Sequence, residues 1–295
     1  MKILITGPTG FIGKHLIKRL VPFHSLVALE KQGADISFLK NNGIPFYYTN
    51  ESIVQLISIF EKEKFDGIIH LASLFLIEHK NEHIKQLVDS NIFFGTELLE
   101  SAVQTNVKWF VNTGTFWQHY HSDNYNPVNL YAATKQAFQD MAAFYTDTSA
   151  LNFVTLKLND TFGPEDTRPK LFNLWMKNID SGEEIEMSAG EQIIDISYID
   201  NVIDAFEQLV TLVSEDKELT FCNRSFGVSS GNRMTLRQLA NLFEEVTNKK
   251  LSIKWGGRQY RDREVMEPWA SFEPVPGWMP RKTIEQGIIE YLRNS

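Results

Sequence analysis

The sequence predicts an α/β fold in which a doubly wound parallel sheet carries a smaller C-terminal α/β lobe. Three observations lead there. Short apolar runs alternate with segments of helical periodicity through residues 1–163. A glycine-rich stretch, Gly7-Pro8-Thr9-Gly10-Phe11-Ile12-Gly13, joins the first run to the first helical segment. After Gly163-Pro164 the character changes, and prolines, tryptophans and short charged segments become denser. Such alternation implies parallel strands covered on both faces and joined by right-handed crossovers.

Each element has its own signal. Residues 2–6 are an apolar run, and residues 14–21 place Leu16, Ile17 and Leu20 on one helical side. A second strand is expected over 25–29. Val54, Ile57 and Phe60 recur at helical spacing within 53–64, and 67–71 is again a short apolar run. A helix over 89–104, a strand over 109–112, a long helix over 130–146 and a strand over 153–158 continue the pattern. Residues 195–199 read as a returning strand and 201–213 as a helix. Residues 235–247 form an amphipathic helix, with Thr235 and Gln238 at the spacing of a capping box.

Composition excludes several classes. The chain has 295 residues, 43% hydrophobic and 22% charged, which suits one large domain with a smaller lobe and neither a disordered nor a fibrous protein. A net charge of −8 argues against a nucleic-acid partner, which needs a basic face. Cys222 is the only cysteine, so no intramolecular disulfide forms and a reducing compartment is expected. The amino terminus lacks the apolar stretch and cleavage site of a signal peptide, and no run is long enough to span a membrane. The expectation is a cytoplasmic protein without a membrane or metal partner.

The glycine segment follows a strand and opens a helix. Glycines there permit a tight turn and close approach of backbone to a pyrophosphate, while the helix N-terminus offers free N–H groups. Gly7, Thr9, Gly10, Phe11, Ile12 and Gly13 are therefore candidate cofactor-binding residues of a Rossmann-type domain. The residue ending the second strand reads the adenosine ribose, acidic for NAD and basic for NADP. Glu30-Lys31 offers both, so NAD(H) and NADP(H) both remain open, with a slight lean to NADP for a reductive role.

Tyr131-Ala132-Ala133-Thr134-Lys135 is the strongest single feature. At i and i+4 the phenol and the ammonium share one helix face. A phenol of ordinary pKa, about 10, is a poor base at neutral pH, and a nearby cation is expected to bring it towards useful acid–base strength.

These motifs resemble the extended short-chain dehydrogenase/reductase superfamily, which includes NAD-dependent epimerases and dehydratases. The glycine spacing, His70-Leu71-Ala72, Ser90-Asn91-Ile92, Asn112-Thr113-Gly114-Thr115 and the Tyr131/Lys135 pair occur in the family order. The resemblance implies that Leu71, Ala72, Asn91, Thr113, Tyr131 and Lys135 contact the cofactor. It also implies that Thr115, with Tyr131 and Lys135, carries hydride chemistry. Thr115 would donate to the substrate oxygen, with Thr113 the alternative holder of that role, and Trp117 would wall the sugar site.

Residues 157–164 resemble the family segment R-x-x-N-x-Y-G-P but carry Lys157, Asp160 and Phe162 at its marked positions. Residues 190–202 resemble R-D-F-I-x-V-D-D-V, with Ile194 where arginine is common. Asp160 would repel substrate phosphates unless turned aside. Arg261 stands where relatives place a diphosphate ligand, and Arg258 and Arg263 are its neighbours. Residues 276–280 resemble a structural L-G-W-x-P turn. Within the branch, residues 10–16, 112–116 and 190–193 are similar to sugar-nucleotide 4-ketoreductases of the CDP-abequose and CDP-paratose synthase type.

The resemblance implies a dinucleotide-binding domain over 1–163, rejoined by 192–213, and a substrate-binding lobe over 164–191 and 214–295. It implies NAD(P)H-dependent reduction of a 4-keto sugar nucleotide, with Tyr131 as acid/base, by a homodimer paired through the helices at 89–104 and 130–146. An NAD-dependent epimerase is the second reading, and a silent NADP-sensing regulator the third. Phe116-Trp117 after Thr115, in place of the acidic pair a dehydratase carries, argues against water elimination.

Overall fold

A computed structural model describes residues 1–49 and 52–293. Strands β1 (Lys2–Thr6), β2 (Ser25–Lys31), β3 (Phe46–Thr49), β4 (Gly67–His70), β5 (Trp109–Thr115) and β6 (Asn152–Leu158) build the central sheet. Short strands follow: β7 (Asp160–Phe162), β8 (Ile185–Met187), β9 (Ile193–Ile194), β10 (Ile196–Tyr198), β11 (Ser225–Val228), β12 (Met234–Thr235) and β13 (Ile253–Trp255). The sheet has seven strands in the order β11-β6-β5-β4-β1-β2-β3, all parallel.

The helices are α1 (Phe11–Leu20), α2 (Ser37–Asn41), α3 (Ile53–Glu63), α4 (His83–Val88), α5 (Phe94–Gln104), α6 (Leu130–Thr148), α7 (Leu171–Ser181), α8 (Ile199–Glu215), α9 (Leu236–Thr247) and α10 (Ile284–Arg293). A π-helical turn, Asp89–Phe93, joins α4 to α5. Successive residues of a strand face opposite sides, so β1 feeds two cores. Ile3 and Ile5 pack with Leu16 and Leu20 of α1 and Phe206 of α8. Leu4 packs with Leu56 and Phe60 of α3, Leu98 of α5 and Phe138 of α6.

The lobe beyond β6 is continuous with the first core. Phe172 of α7 stacks on Phe243 of α9 at 5.2 Å, and Trp175 and Tyr291 close around them. Three small pairings, β7 with β10, β8 with β13 and β9 with β12, brace this lobe.

The structure corrects two details of the sequence reading. In α3 the buried face is Leu56, Ile59 and Phe60, while Val54 is 73% exposed. Counting by three drifts around a helix of 3.6 residues per turn and follows the wrong edge of the stripe. Residues 225–228, assigned to the substrate lobe, pair with β6 as the seventh strand of the central sheet. A four-residue strand is too short to show a period.

The capping box of α9 is present: Gln238 N–H donates to Thr235 Oγ1 at 3.2 Å, and Thr235 N–H to Gln238 Oε1 at 2.8 Å. The Pro276–Pro280 stretch has a structural partner in buried Asn201 of α8. Asn201 Oδ1 accepts the N–H groups of Arg281 and Lys282, its Nδ2 donates to Lys282 O, and its backbone O accepts Trp278 Nε1. Asn201→Ala would remove the side-chain partner of the Arg281 and Lys282 N–H groups and of Lys282 O, leaving only the Trp278 contact to the backbone, at a cost of about 1–3 kcal/mol. Urea unfolding should show a loss of at least about 1 kcal/mol without a change in m-value.

Candidate active site

The glycine turn lies against the end of β4. Gly7 has φ +65°, and a Cβ there would sit 2.8 Å from Ala72 N. A Cβ on Gly13 would meet Gly7 O at 2.3 Å. Both must therefore be glycine, the first for its left-handed backbone and the second for the close crossing of turn and helix. Gly10 is the N-cap of α1, no side chain caps the helix, and its first turn holds no acidic residue. The free N–H groups of that turn border a cavity lined by Gly7, Gly10, Phe11, Ile12, Gly13, Leu71, Thr113, Thr115, Tyr131 and Lys135. The strand ends and the α6 face thus bring most of the predicted residues together.

Glu30 accepts Thr9 Oγ1–H at 2.7 Å and the Lys31 N–H at 3.0 Å. Its carboxylate is fixed at the end of β2, while Lys31 is exposed. Ala72 N–H donates to Thr6 Oγ1, which lies 2.8 Å from His70 Nδ1. His70 is fully buried among Phe94, Phe110 and Phe138, and burial lowers its pKa well below the usual value. It is a packed, neutral histidine.

Asn91 lies behind the cavity rather than on its wall. Its Oδ1 accepts Ser73 Oγ–H (3.1 Å) and Leu74 N–H (2.7 Å). Its Nδ2 donates to Leu74 O (3.0 Å) and Thr134 Oγ1 (2.9 Å). All its polar capacity goes to protein groups, so the expected cofactor contact gives way to a positioning role.

Thr115 ends β5 and caps the short 3₁₀ turn Phe116–Gln118, accepting Trp117 N–H at 3.2 Å. With one lone pair used there, its own O–H is free to donate into the cavity. Thr113 Oγ1 is buried without a hydrogen-bond partner among the described residues. Asn129 caps α6 by accepting Ala132 N–H, which fixes the first turn carrying Tyr131.

Lys135 is 2% exposed and its ammonium has no hydrogen-bond partner among the described residues; burial alone depresses its pKa to about 8. Tyr131 moves the other way. Burial pushes the phenol up to about 12, a hydrogen bond with Ser73 pulls it down, and Asp160 adds to the rise. The expected lowering by Lys135 is absent: burial is the largest influence on the phenol, and Lys135 is not among the groups that shift it.

The residues fit a nicotinamide dinucleotide. The glycine cradle leaves no room for a Cβ, the α1 N-terminus suits a pyrophosphate, and Glu30 suits a ribose. The orphaned Lys135 ammonium suits a second ribose.

A second cavity adjoins the first, and Trp117, Asp160, Thr161 and Lys170 line both. Asp160 Oδ1 accepts Lys170 Nζ at 2.8 Å. Burial raises this carboxyl, but Lys170, Arg168 and Arg261 outweigh burial and hold it below its ordinary value. The predicted repulsion is thus met by a lysine in the same wall. Arg258, Arg261 and Arg263 all line the second cavity. Arg261 is held by both oxygens of Glu264 at 2.9 Å, and Arg263 by Asn126 Oδ1 at 2.7 Å. Ile194 also lines this cavity.

Several residues here escaped sequence reasoning. Ser73, Phe75, Arg168 and Lys170 line the first cavity but sit in irregular segments without a motif. Lys157 is buried, its Nζ 2.7 Å from His119 Nε2, and His119 stacks on Trp269 at 3.9 Å. Burial and Lys157 lower His119 to about 4. The unfolded chain therefore binds a proton at His119 near pH 6.5 that the folded chain refuses until about 4, so folding stability falls with pH across that window. His119→Gln keeps an acceptor for Lys157. Urea midpoints measured between pH 7 and 4.5 should decline less steeply in this variant than in the wild type.

Comparisons with known proteins follow the same outline. The profile described as the NAD dependent epimerase/dehydratase family matches residues 3–221. CDP-abequose synthase of Salmonella muenchen is 26% identical, over 99% of this chain and 97% of its own. CDP-abequose synthase of Yersinia pseudotuberculosis is 27% identical, over 91% and 92%. The structure of UDP-glucose 4-epimerase from Thermotoga maritima with UDP-glucose superposes with TM-score 0.85 at 22% identity, over 99% and 98% of the two chains. UDP-glucuronic acid 4-epimerase from Bacillus cereus, in complex with UDP-glucuronic acid and NAD, gives 0.85 at 18% identity, also over 99% and 98%.

Proposed function

Because this chain belongs to the NAD-dependent epimerase/dehydratase family, we propose that it reduces the 4-keto group of a nucleotide-diphosphate sugar. The full-length likeness to CDP-abequose synthases carries this reading. Burial keeps the Tyr131 phenol protonated in the empty site, as the acid of a ketone reduction must be. Phe116-Trp117 beside Thr115 leaves no acid–base pair there for water elimination, and the presence of both Tyr131 and Lys135 disfavours a silent regulator.

When bound, a reduced nicotinamide supplies the hydride. Thr115 Oγ–H holds the keto oxygen and steadies the charge that develops on it. Tyr131 passes its phenolic proton to that oxygen. Lys135, on the same cavity wall, would hold ribose hydroxyls of the cofactor. Arg258, Arg263 and Lys170 offer positive charge to the diphosphate, while Arg261 must first loosen from Glu264. The fixed Glu30 carboxylate would accept ribose hydroxyls and repel a 2′-phosphate, which favours NADH over the NADPH lean of the sequence reading.

The test is a panel of 4-keto nucleotide sugars incubated with NADH and with NADPH, with product formation and cofactor oxidation measured together. Stoichiometric oxidation of NADH is expected; product without net oxidation would point to the epimerase instead. Tyr131→Phe should lose roughly 10²–10⁴-fold in kcat while NADH binding stays unchanged.

A cytoplasmic homodimer completes the proposal. Phe93 (52% exposed) and Phe144 (65%) stand out on the π turn and α6, with Val88 and Met141 exposed beside them in sequence and fold. An apolar face of this kind suits a second copy of the same helices. Sedimentation should report a dimer for the wild type and a monomer for Phe144→Glu; an unchanged dimer in that variant removes this face from the interface.

A further inference from the structure

Ser73 lies in the loop after β4, on the wall of the cofactor cavity, and no motif marks it. Its hydroxyl shares that wall with the Tyr131 phenol, within reach of it, and donates to Asn91 Oδ1 at 3.1 Å. Asn91 is 1% exposed and donates to Thr134 Oγ1 at 2.9 Å, and Thr134 Oγ1–H donates to the carbonyl of Tyr131 itself at 2.7 Å. A closed ring of side chains thus starts at the phenol and returns to the backbone of the same residue.

We propose that Ser73 is a positioning residue for Tyr131 that turns its proton from Asn91 to the phenol oxygen as Tyr131 gives up its own. This rests on the reading of Tyr131 as the acid. In the resting site the Ser73 proton points at Asn91 Oδ1, and a Ser73 lone pair accepts the phenolic O–H. When that O–H bond breaks and the proton joins the substrate oxygen, the phenolate carries the charge. The Ser73 O–H rotates onto it, a charge-assisted bond stronger than the one it leaves. Asn91 Oδ1 is not orphaned by the turn, because it keeps the Leu74 N–H at 2.7 Å. The ring contains no group able to release a proton: Asn91 is an amide and Thr134 is bonded at both ends. Ser73 therefore steadies the phenolate without resupplying it, and a new proton must reach Tyr131 from the cavity side.

Other charges facing the phenol come from three elements. Lys135 lies one turn along α6, Asp160 begins β7, and Lys170 precedes α7. Lys170 Nζ sits 4.5 Å from the Phe75 ring, which is edge-on to Tyr131 at 5.0 Å. Arg168 is on the same cavity wall. None of these is altered by removing the Ser73 hydroxyl, so a change in the Tyr131 titration reports on Ser73.

The test is the phenolate absorbance of Tyr131 in the NAD-loaded protein, obtained as the difference from Tyr131→Phe, across an alkaline pH series. In Ser73→Ala the titration should move to higher pH, and Ser73→Thr, which restores a hydroxyl, should bring it back. In turnover, Ser73→Ala should lower kcat roughly ten- to a hundredfold with KM and NADH affinity unchanged. An unmoved titration in a Ser73→Ala protein that still binds NAD overturns the proposal. Because that readout needs no substrate, it fails or succeeds separately from the 4-ketoreductase reading.

Discussion

The half that carries the candidate active site depends on one buried amide. Asn91 spends its carbonyl on the loop after β4 and its amino group on that loop and on α6. Those are the two elements that carry Ala72 and Ser73 on one side and Tyr131 and Lys135 on the other. A buried amide left unpaired costs more than a paired one returns, so the loop and the helix cannot drift apart without stranding it. The glycine turn is coupled to the same point, since Gly7 lies against Ala72 backbone with no space for a side chain. Glycine turn, strand end and α6 are thus held in mutual register by contacts that leave little slack.

The electrostatics of the site follow from burial more than from pairing. Lys135 and Tyr131 share a helix face, yet each is shifted chiefly by loss of solvent, one down to about 8 and the other up to about 12. Both shifts disfavour charge. While empty, such a site tightens the phenol's proton and loosens the ammonium's, and it depends on ligand charge and ligand hydrogen bonds to change that state. In the substrate half the design differs: Asp160 and Glu264 are each tied to a cation, so positive groups there are already partly occupied.

The sequence made the cofactor half legible because its constraints are local. The glycine spacing, the strand that precedes it and the i,i+4 pair on α6 each lie within one element. Asn91 was visible as a residue but not as a role, since its partners Leu74 and Thr134 are distant in the chain. Ser73, Arg168 and Lys170 had no signal at all, because loops bring them to the cavity and loops carry no period. The expectation that Lys135 lowers the Tyr131 phenol failed for a related reason: helix geometry reports proximity, whereas burial is set by the whole fold. Asp160 shows the reverse case, a residue whose oddness was plain and whose compensation by Lys170 needed the three-dimensional arrangement.

The π-helical turn at Asp89–Phe93 has a further consequence. Phe94 N–H reaches back to Asp89 O, one residue beyond the ordinary helical step. That extra residue acts as a phase shift between α4 and α5: a regular helix advances about 100° per residue, so everything after the turn is rotated relative to everything before it. Within the turn itself Asn91 faces the interior and Phe93 faces out. Deleting one residue there would restore a regular helix and keep the composition almost intact, yet it would put the two ends of the helix out of phase with the surfaces they now meet. In this stretch, then, chain length carries information that residue identity does not.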